Sequence, residues 1–178
     1  QVTFSGLASN AYITKIAVGK AHVVALDSDG NIWTWGDNTY GQLGIGLTSD
    51  ATPYSTTPTV AINGNVKKVV VGDGFMVAVT INGEVYAWGR NANGQLGNNT
   101  ITTNDSIDNA NNHNANSPKR VLISYDGENM QNLDGIVNVN AGVNSSMAVG
   151  RDGYLYSWGS GANNTTGVGS TANSLTAK

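Results

Sequence analysis

The stretch Asp29-Gly30-Asn31-Ile32-Trp33-Thr34-Trp35-Gly36 returns without a gap as Asn82-Gly83-Glu84-Val85-Tyr86-Ala87-Trp88-Gly89, and again as Asp152-Gly153-Tyr154-Leu155-Tyr156-Ser157-Trp158-Gly159. Eleven residues before each turn glycine stands another glycine: Gly19, Gly72 and Gly142. Apolar runs precede these, over Ile13–Val18, Val66–Val71 and Ile136–Ala141. Asp-Gly and Asn-Gly between apolar runs are the strongest short hairpin signals, because the favoured two-residue turn needs positive φ. The returning strand has two apolar sides. Ile32, Val85 and Leu155 share one side with Thr34, Ala87 and Ser157, while Trp33, Tyr86 and Tyr156 share the other with Trp35, Trp88 and Trp158. A strand of that kind is covered on both faces. No helical period occurs anywhere, so the cover is another sheet. Small sheets stacked in series form a β-propeller. The expected fold is therefore all-β: a partial β-propeller of three blades, each a four-stranded antiparallel sheet, in an incomplete ring.

The interval from Trp35 to Trp88 is 53 residues, and from Trp88 to Trp158 it is 70. An Asn-rich insertion over about 98–117 accounts for the longer one; it holds eight asparagines, two aspartates and no large aromatic residue. It cannot bury apolar area and reads as a long loop, a place where rigid scaffolds carry function. The expected organisation is a single repeat domain, 1–178, with repeats over about 1–57, 58–117 and 118–178.

Composition removes several classes. The chain has 178 residues, with 12 Asp+Glu against 9 Lys+Arg, a net charge of −3 and 12% charged residues. Nine scattered cations do not build the dense basic face that counterion release requires, so no nucleic-acid partner is expected. Cysteine is absent, which excludes disulfides, thiolate metal sites and cysteine nucleophiles. No apolar run approaches the roughly 20 residues of a membrane helix, so no membrane insertion is expected. Glycine (23) and asparagine (24) are abundant and proline is scarce (3), the composition of a chain of turns. Beginning at Gln1 without an apolar leader, the chain reads as a processed product or a segment of something longer. Its Asn-rich, Cys-free, Lys-poor character is associated with bacterial or phage surface proteins, which gives the expectation of an extracellular, cell-surface or virion setting.

After the tryptophan, the first repeat continues Gly36-Asp37-Asn38-Thr39-Tyr40-Gly41-Gln42-Leu43-Gly44, and the second Gly89-Arg90-Asn91-Ala92-Asn93-Gly94-Gln95-Leu96-Gly97. Together with Gly19-x-x-His22 and the Asp29-Gly30 hairpin, this pattern resembles the regulator of chromosome condensation repeat family. The resemblance covers almost the whole chain. It implies seven-bladed propellers with repeats of about 50 residues. It also implies a structural role for Gly19, His22, Asp29, Gly30, Trp35, Gly36, Gly41, Gln42, Leu43 and Gly44 in repeat one. The same role falls to Gly72, Gly83, Trp88, Gly89, Gly94, Gln95, Leu96 and Gly97 in repeat two, and to Gly142, Gly153, Trp158 and Gly159 in repeat three. A buried Gln42 or Gln95 can satisfy loop N–H and C=O groups that no ladder reaches, and Leu43 and Leu96 anchor the loop in the core. The third repeat departs: Gly159-Ser160-Gly161-Ala162-Asn163-Asn164-Thr165-Thr166-Gly167 has no Gln-Leu pair, and Ser145 stands where His22 and Phe75 do. Weaker local packing, at a boundary or against a partner, is expected there.

No catalytic or metal-binding constellation is legible, and no cofactor is expected. His22 occupies a packing position and His113 lies in the insertion, so neither promises a triad. Asp27-Ser28-Asp29-Gly30-Asn31 departs from a calcium loop, with glycine at the fourth position and Asn38 where a bidentate Glu belongs. Gly41 to Gly46 lacks the Lys-Ser/Thr of a phosphate cradle. Asn104, Asn144 and Asn164 open glycan-acceptor sequences, which an Asn-rich chain produces by chance. The candidate contact residues are Asn104, Asp105, Asn112 and His113 in the insertion and Trp33 as an exposed aromatic platform, although core packing explains Trp33 as well. Three blades leave the first and last sheets with apolar faces above what monomers usually expose. The expected function is a non-catalytic module that binds a protein or a glycan and needs further copies or remaining blades to complete its ring. Guanine nucleotide exchange on a small GTPase, the activity of the family's best-known member, is one alternative; a propeller-based carbohydrate-active enzyme is the other.

Overall fold

The computed structural model describes residues 1–47, 51–103, 113–124 and 128–178. Strands β1 (Ile13–Val18), β2 (His22–Asp27), β3 (Ile32–Asp37) and β4 (Tyr54–Ile62) pair in chain order as the first antiparallel sheet. The second repeats the plan with β5 (Val66–Val71), β6 (Phe75–Thr80), β7 (Val85–Gly89) and β8 (Ala115–Arg120). A two-stranded ribbon, β9 (Leu122–Ile123) and β10 (Gln131–Asn132), lies in the link to the third sheet, β11 (Ile136–Ala141), β12 (Ser145–Gly150) and β13 (Leu155–Gly159). The C-terminal segment supplies a fourth edge there. Gly159 and Ser174 exchange both N–H···O bonds, as do Ser157 and Lys178, while the Ala177 N–H reaches Leu122 O. The chain is thus an all-β arc of propeller blades, with one short 3-10 turn, Ala162–Asn164, as the helical content of the described residues.

The three sheets share one register. Ala25 faces Trp33, Ala78 faces Tyr86 and Ala148 faces Tyr156. Each inner strand carries its irregularity at the same place, between Ile13 and Lys15, Val66 and Lys68, and Ile136 and Asn138. A bulge repeated at one position adds the same local twist to every sheet. The hairpin glycines Gly30, Gly83 and Gly153 take φ of 84°, 89° and 84°, as the Asp-Gly and Asn-Gly signals require.

The core lies between the sheets. Val85, Trp88, Phe75, Met76 and Leu96 are fully buried. Each interface is locked by an indole that donates to the loop of the preceding blade: Trp88 Nε1 to Gln42 O at 3.0 Å, and Trp158 Nε1 to Gln95 O at 2.9 Å. Burying such a ring removes about 150–250 Å² from water, worth up to roughly 4–6 kcal/mol per tryptophan. The outer faces are covered only in part. Ile16 is 69% exposed, while its repeat counterparts Val69 and Val139 are 7% and 1%; Leu155 is 62% exposed, while Ile32 and Val85 are 0%.

Candidate binding surface

Antiparallel pairing sends the β1–β2, β5–β6 and β11–β12 turns to the same end as the long β3–β4 and β7–β8 loops. Two buried amides hold each long loop. Asn38 Oδ1 accepts the Leu43 N–H at 3.1 Å and its Nδ2 donates to Thr52 O at 2.9 Å. Asn91 repeats this with the Leu96 N–H at 3.1 Å and Thr100 O at 3.0 Å. Gln42 Oε1 accepts the Tyr40 N–H and Gln95 Oε1 the Asn93 N–H. The sequence pointed to the glutamines. The equal part played by Asn38 and Asn91 was legible only as an asparagine three residues after Trp35 and Trp88. In the third blade Gly161 takes that place, its N–H bonded to Asn173 Oδ1 and its Cα pressed on the Ala172 backbone, where no side chain fits. The loop keeps its shape despite the lost Gln-Leu pair: Ser157 Oγ donates to Thr166 O as Thr34 Oγ1 does to Leu43 O, and Gly167 N–H reaches Asn164 O.

The insertion is rooted at this end. Thr102 N–H bonds Asn91 O, and Asn91 N–H and Thr102 Oγ1 both donate to Asn114 Oδ1. His113 is exposed, and its backbone N–H donates to Thr102 Oγ1. Asn104, Asp105 and Asn112 lie outside the described residues. Trp33 corrects the expectation of an exposed platform. It is 2% exposed, its Nε1 donates to Asp27 Oδ2 at 2.8 Å and the Phe4 ring stands edge-on to it. Asp27 also accepts the Asp29 and Asn31 N–H groups and Asn31 Nδ2. Burial pushes its carboxyl up, but these four bonds together hold it below the usual carboxylate range. The carboxylate that looked like part of a calcium loop is thus committed to its own hairpin.

Gly19 and Gly72 exist for a close approach: a Cβ on either would lie 2.3 Å from the His22 ring or 1.9 Å from the Phe75 ring. The buried His22 borders a cleft of about 270 Å³ between the first two blades, with Lys20, Asp37, Tyr40, Asp73 and Arg90. Its Nε2 is buried without a hydrogen-bond partner. Burial lowers its pKa from the ordinary 6.5, against the opposing pull of the Asp37 and Asp73 charges. The native state therefore binds fewer protons than the unfolded chain. This site's stability is intact above pH 6.5 and is lost as pH falls from there through the lowered native value. We expect His22→Phe, the residue of repeat two, to raise the unfolding free energy by about 1 kcal/mol at neutral pH. Its advantage should widen toward pH 5. Urea midpoints across that range check it; a variant no more stable than the wild type at pH 5 refutes it.

The residue after each of the three aligned glycines is Lys20, Asp73 and Val143. These lie around one concavity at the inner ends of the blades, bounded also by Val18, Val71 and Ala141. Lys20 and Asp73 border the cleft too, so the two hollows adjoin. Arg90 pairs with Asp73 at 3.7 Å and stands 5.1 Å from the Tyr40 ring centre. One repeat position thus presents a cation, an anion and an apolar group side by side, with Val143 67% exposed. Among the described residues no three His, Cys, Asp or Glu side chains gather as a metal would need, and no helix is long and apolar enough to cross a membrane.

The family model of the Regulator of chromosome condensation (RCC1) repeat matches residues 29–79 and 82–149, and a second model of that repeat matches 13–42 and 66–95. The chain belongs to this family. The ultraviolet-B receptor UVR8 of Arabidopsis thaliana is 34% identical to it over 159 residues, 88% of this chain and 32% of the receptor. The human E3 ubiquitin-protein ligase HERC2 is 32% identical over 171 residues, 93% of this chain and 3% of the ligase. Among solved structures, yeast RCC1 (Prp20) bound to Kap60 superposes with a TM-score of 0.73 at 24% identity, covering 92% of this chain and 36% of that one. Human WBSCR16 gives 0.73 at 23% identity, covering 94% and 39%. This chain spans less than two fifths of the length of each of these relatives. The likeness to the solved structures establishes the fold: blades of an RCC1-type propeller.

Proposed function

We propose that this chain is a non-catalytic protein-binding arc of an RCC1-type propeller, which docks its partner on the loop end and joins further blades through its two open faces. The observation that carries the reading is the row Lys20, Asp73 and Val143. Packing fixes the glycine before the first two of them, Gly19 and Gly72, while the residue that follows the aligned glycine differs in all three blades. A surface of opposed charges around an exposed aliphatic group suits a protein surface. A glycan reading would want exposed rings over a hollow, and Trp33, the ring the sequence offered, is buried. Yeast RCC1 (Prp20) is seen bound to Kap60 and binds Gsp1p and histones; exchange on a small GTPase is the second reading for this chain.

A photo-crosslinking amino acid at Val143 tests the proposal, with the same probe at Ile81 as control; Ile81 is 59% exposed in a hairpin at the opposite end. Protein adducts are expected at position 143 and not at 81. Equal labelling at both positions, or none at 143, refutes the assignment. An adduct with a small GTPase, joined to faster nucleotide release in the presence of the chain, would favour the exchange reading instead.

A further inference from the structure

Of the six lysines in the chain, three stand at one aligned pair of positions. Thr14-Lys15, Lys67-Lys68 and Val137-Asn138 are the second and third residues of the inner strands β1, β5 and β11. Each pair falls on the shared bulge. The pairing register passes from Ile13 to Lys15, from Val66 to Lys68 and from Ile136 to Asn138, so Thr14, Lys67 and Val137 are the extra residues. The backbone of a bulged residue leaves the ladder. The lysines of the preceding blade use it: Lys15 Nζ donates to Lys67 O at 3.5 Å, and Lys67 Nζ to Val137 O at 3.3 Å. Lys68 Nζ donates to Asn138 Oδ1 at 2.7 Å.

Two ammonium groups thus end on consecutive residues of β11, and a third ends on the strand beside it. Each uses one of its three N–H donors in these bonds. No Asp or Glu lies on the three strands, and the ion pairs of the described residues are made by Arg90 and Arg120 instead. Lys15 and Lys67 are exposed, and Lys68 is half-buried. In a chain of net charge −3, positive charge is gathered here without a carboxylate to answer it. Like charges held side by side repel until an anion joins them. The row lies at the hairpin end of the inner strands, because Ile13 pairs with Asp27 and Val66 with Thr80. Lys20, Asp73 and Val143 follow the opposite ends of the same strands.

We propose that Lys15, Lys67 and Lys68 form an anion site on the inner wall of the arc, and that its ligand is a small oligophosphate. The three strands carry no aromatic ring on which a nucleobase or a peptide anchor could rest. The cations are lysines, which meet phosphoryl oxygens as compact charges, and not the arginine forks that pair with a carboxylate. A compact anion with several charges reaches all three ammonium groups at once, which a single carboxylate does not. The site is separate from the loop-end surface and does not rest on that reading.

Isothermal titration of the 178-residue chain with inorganic tripolyphosphate tests it, at about 0.01 M and about 0.1 M salt, where charges are screened over roughly 30 Å and 10 Å. A saturable 1:1 complex is expected at the lower salt, weakened roughly tenfold at the higher. Lys67→Gln and Lys68→Gln are each expected to weaken it roughly tenfold. Lys67→Arg keeps the charge and is expected to bind within about threefold of the wild type, which separates loss of charge from damage to the blade. Lys119→Gln, at an exposed lysine on β8, is expected to leave the affinity unchanged. Absence of saturable binding at the lower salt overturns the proposal and leaves the lysines as ties between blades. A loss at Lys119→Gln equal to that at Lys67→Gln overturns it as unspecific attraction. A hexaglutamate peptide that binds as tightly as tripolyphosphate, and weakens in the same variants, overturns it in favour of an acidic peptide. The Val143 crosslinking result is unaffected in every case.

Discussion

Trp88→Ala is expected to lower the unfolding free energy by about 4 kcal/mol, within the range of roughly 3–5 for buried tryptophans. Three losses combine. The ring is fully buried in the centre of the arc, so no open face lets solvent or a neighbour relax into the void. Its Nε1 leaves Gln42 O, a carbonyl inside the first joint, without its donor. The slot at Gly44, shaped by the absence of a Cβ 2.6 Å from the indole, stays empty. Against a domain stability of about 5–15 kcal/mol, this leaves the first blade barely attached. Urea unfolding monitored by far-ultraviolet circular dichroism measures it. Trp35→Ala makes the internal comparison, because its ring is partly exposed and is expected to cost less than half as much. Equal costs at the two positions would show that the joints do not carry the stability.

Gly89→Ala is expected to cost more than about 3 kcal/mol, although it adds a single methyl group. Gly89 has φ of 98°, and its Cβ would lie 2.4 Å from Gly74 O, 2.8 Å from Phe75 Cα and 3.2 Å from Gln42 Cα. All three are backbone atoms, so nothing can swing aside; β6, β7 and the first-blade loop would have to separate. Gly135→Ala isolates the strain from the collision. It has φ of 70° with nothing within 4 Å, and is expected to cost about 1–2 kcal/mol. Chemical denaturation of both variants gives the difference directly. Similar values would mean that conformational strain, rather than contact between blades, sets the penalty.

The blades themselves were written in the chain. A period of two with apolar groups on both sides, closed by Asp29-Gly30, Asn82-Gly83 and Asp152-Gly153, leaves few alternatives to stacked hairpins, because each turn needs positive φ and each strand needs two covers. The glycine-glutamine-leucine-glycine run likewise announced a stapled loop, since a buried amide answers unpaired backbone groups wherever it stands. The proposed binding surface was hidden for a different reason. Lys20, Asp73 and Val143 sit beside conspicuous glycines and carry no motif; their meaning is that they differ at an aligned position and face one hollow. Trp33 misled in the opposite sense. An unusual aromatic residue drew attention as a platform, while Asp27, six residues before it, had already claimed its N–H.

Local chemistry alone therefore set the hairpins, the repeat register and the family, because turn geometry and strand alternation act between residues a few positions apart. Tertiary packing alone decided which indoles are locked and which differing side chains meet, because each of those depends on what the neighbouring sheet, dozens of residues away, brings alongside.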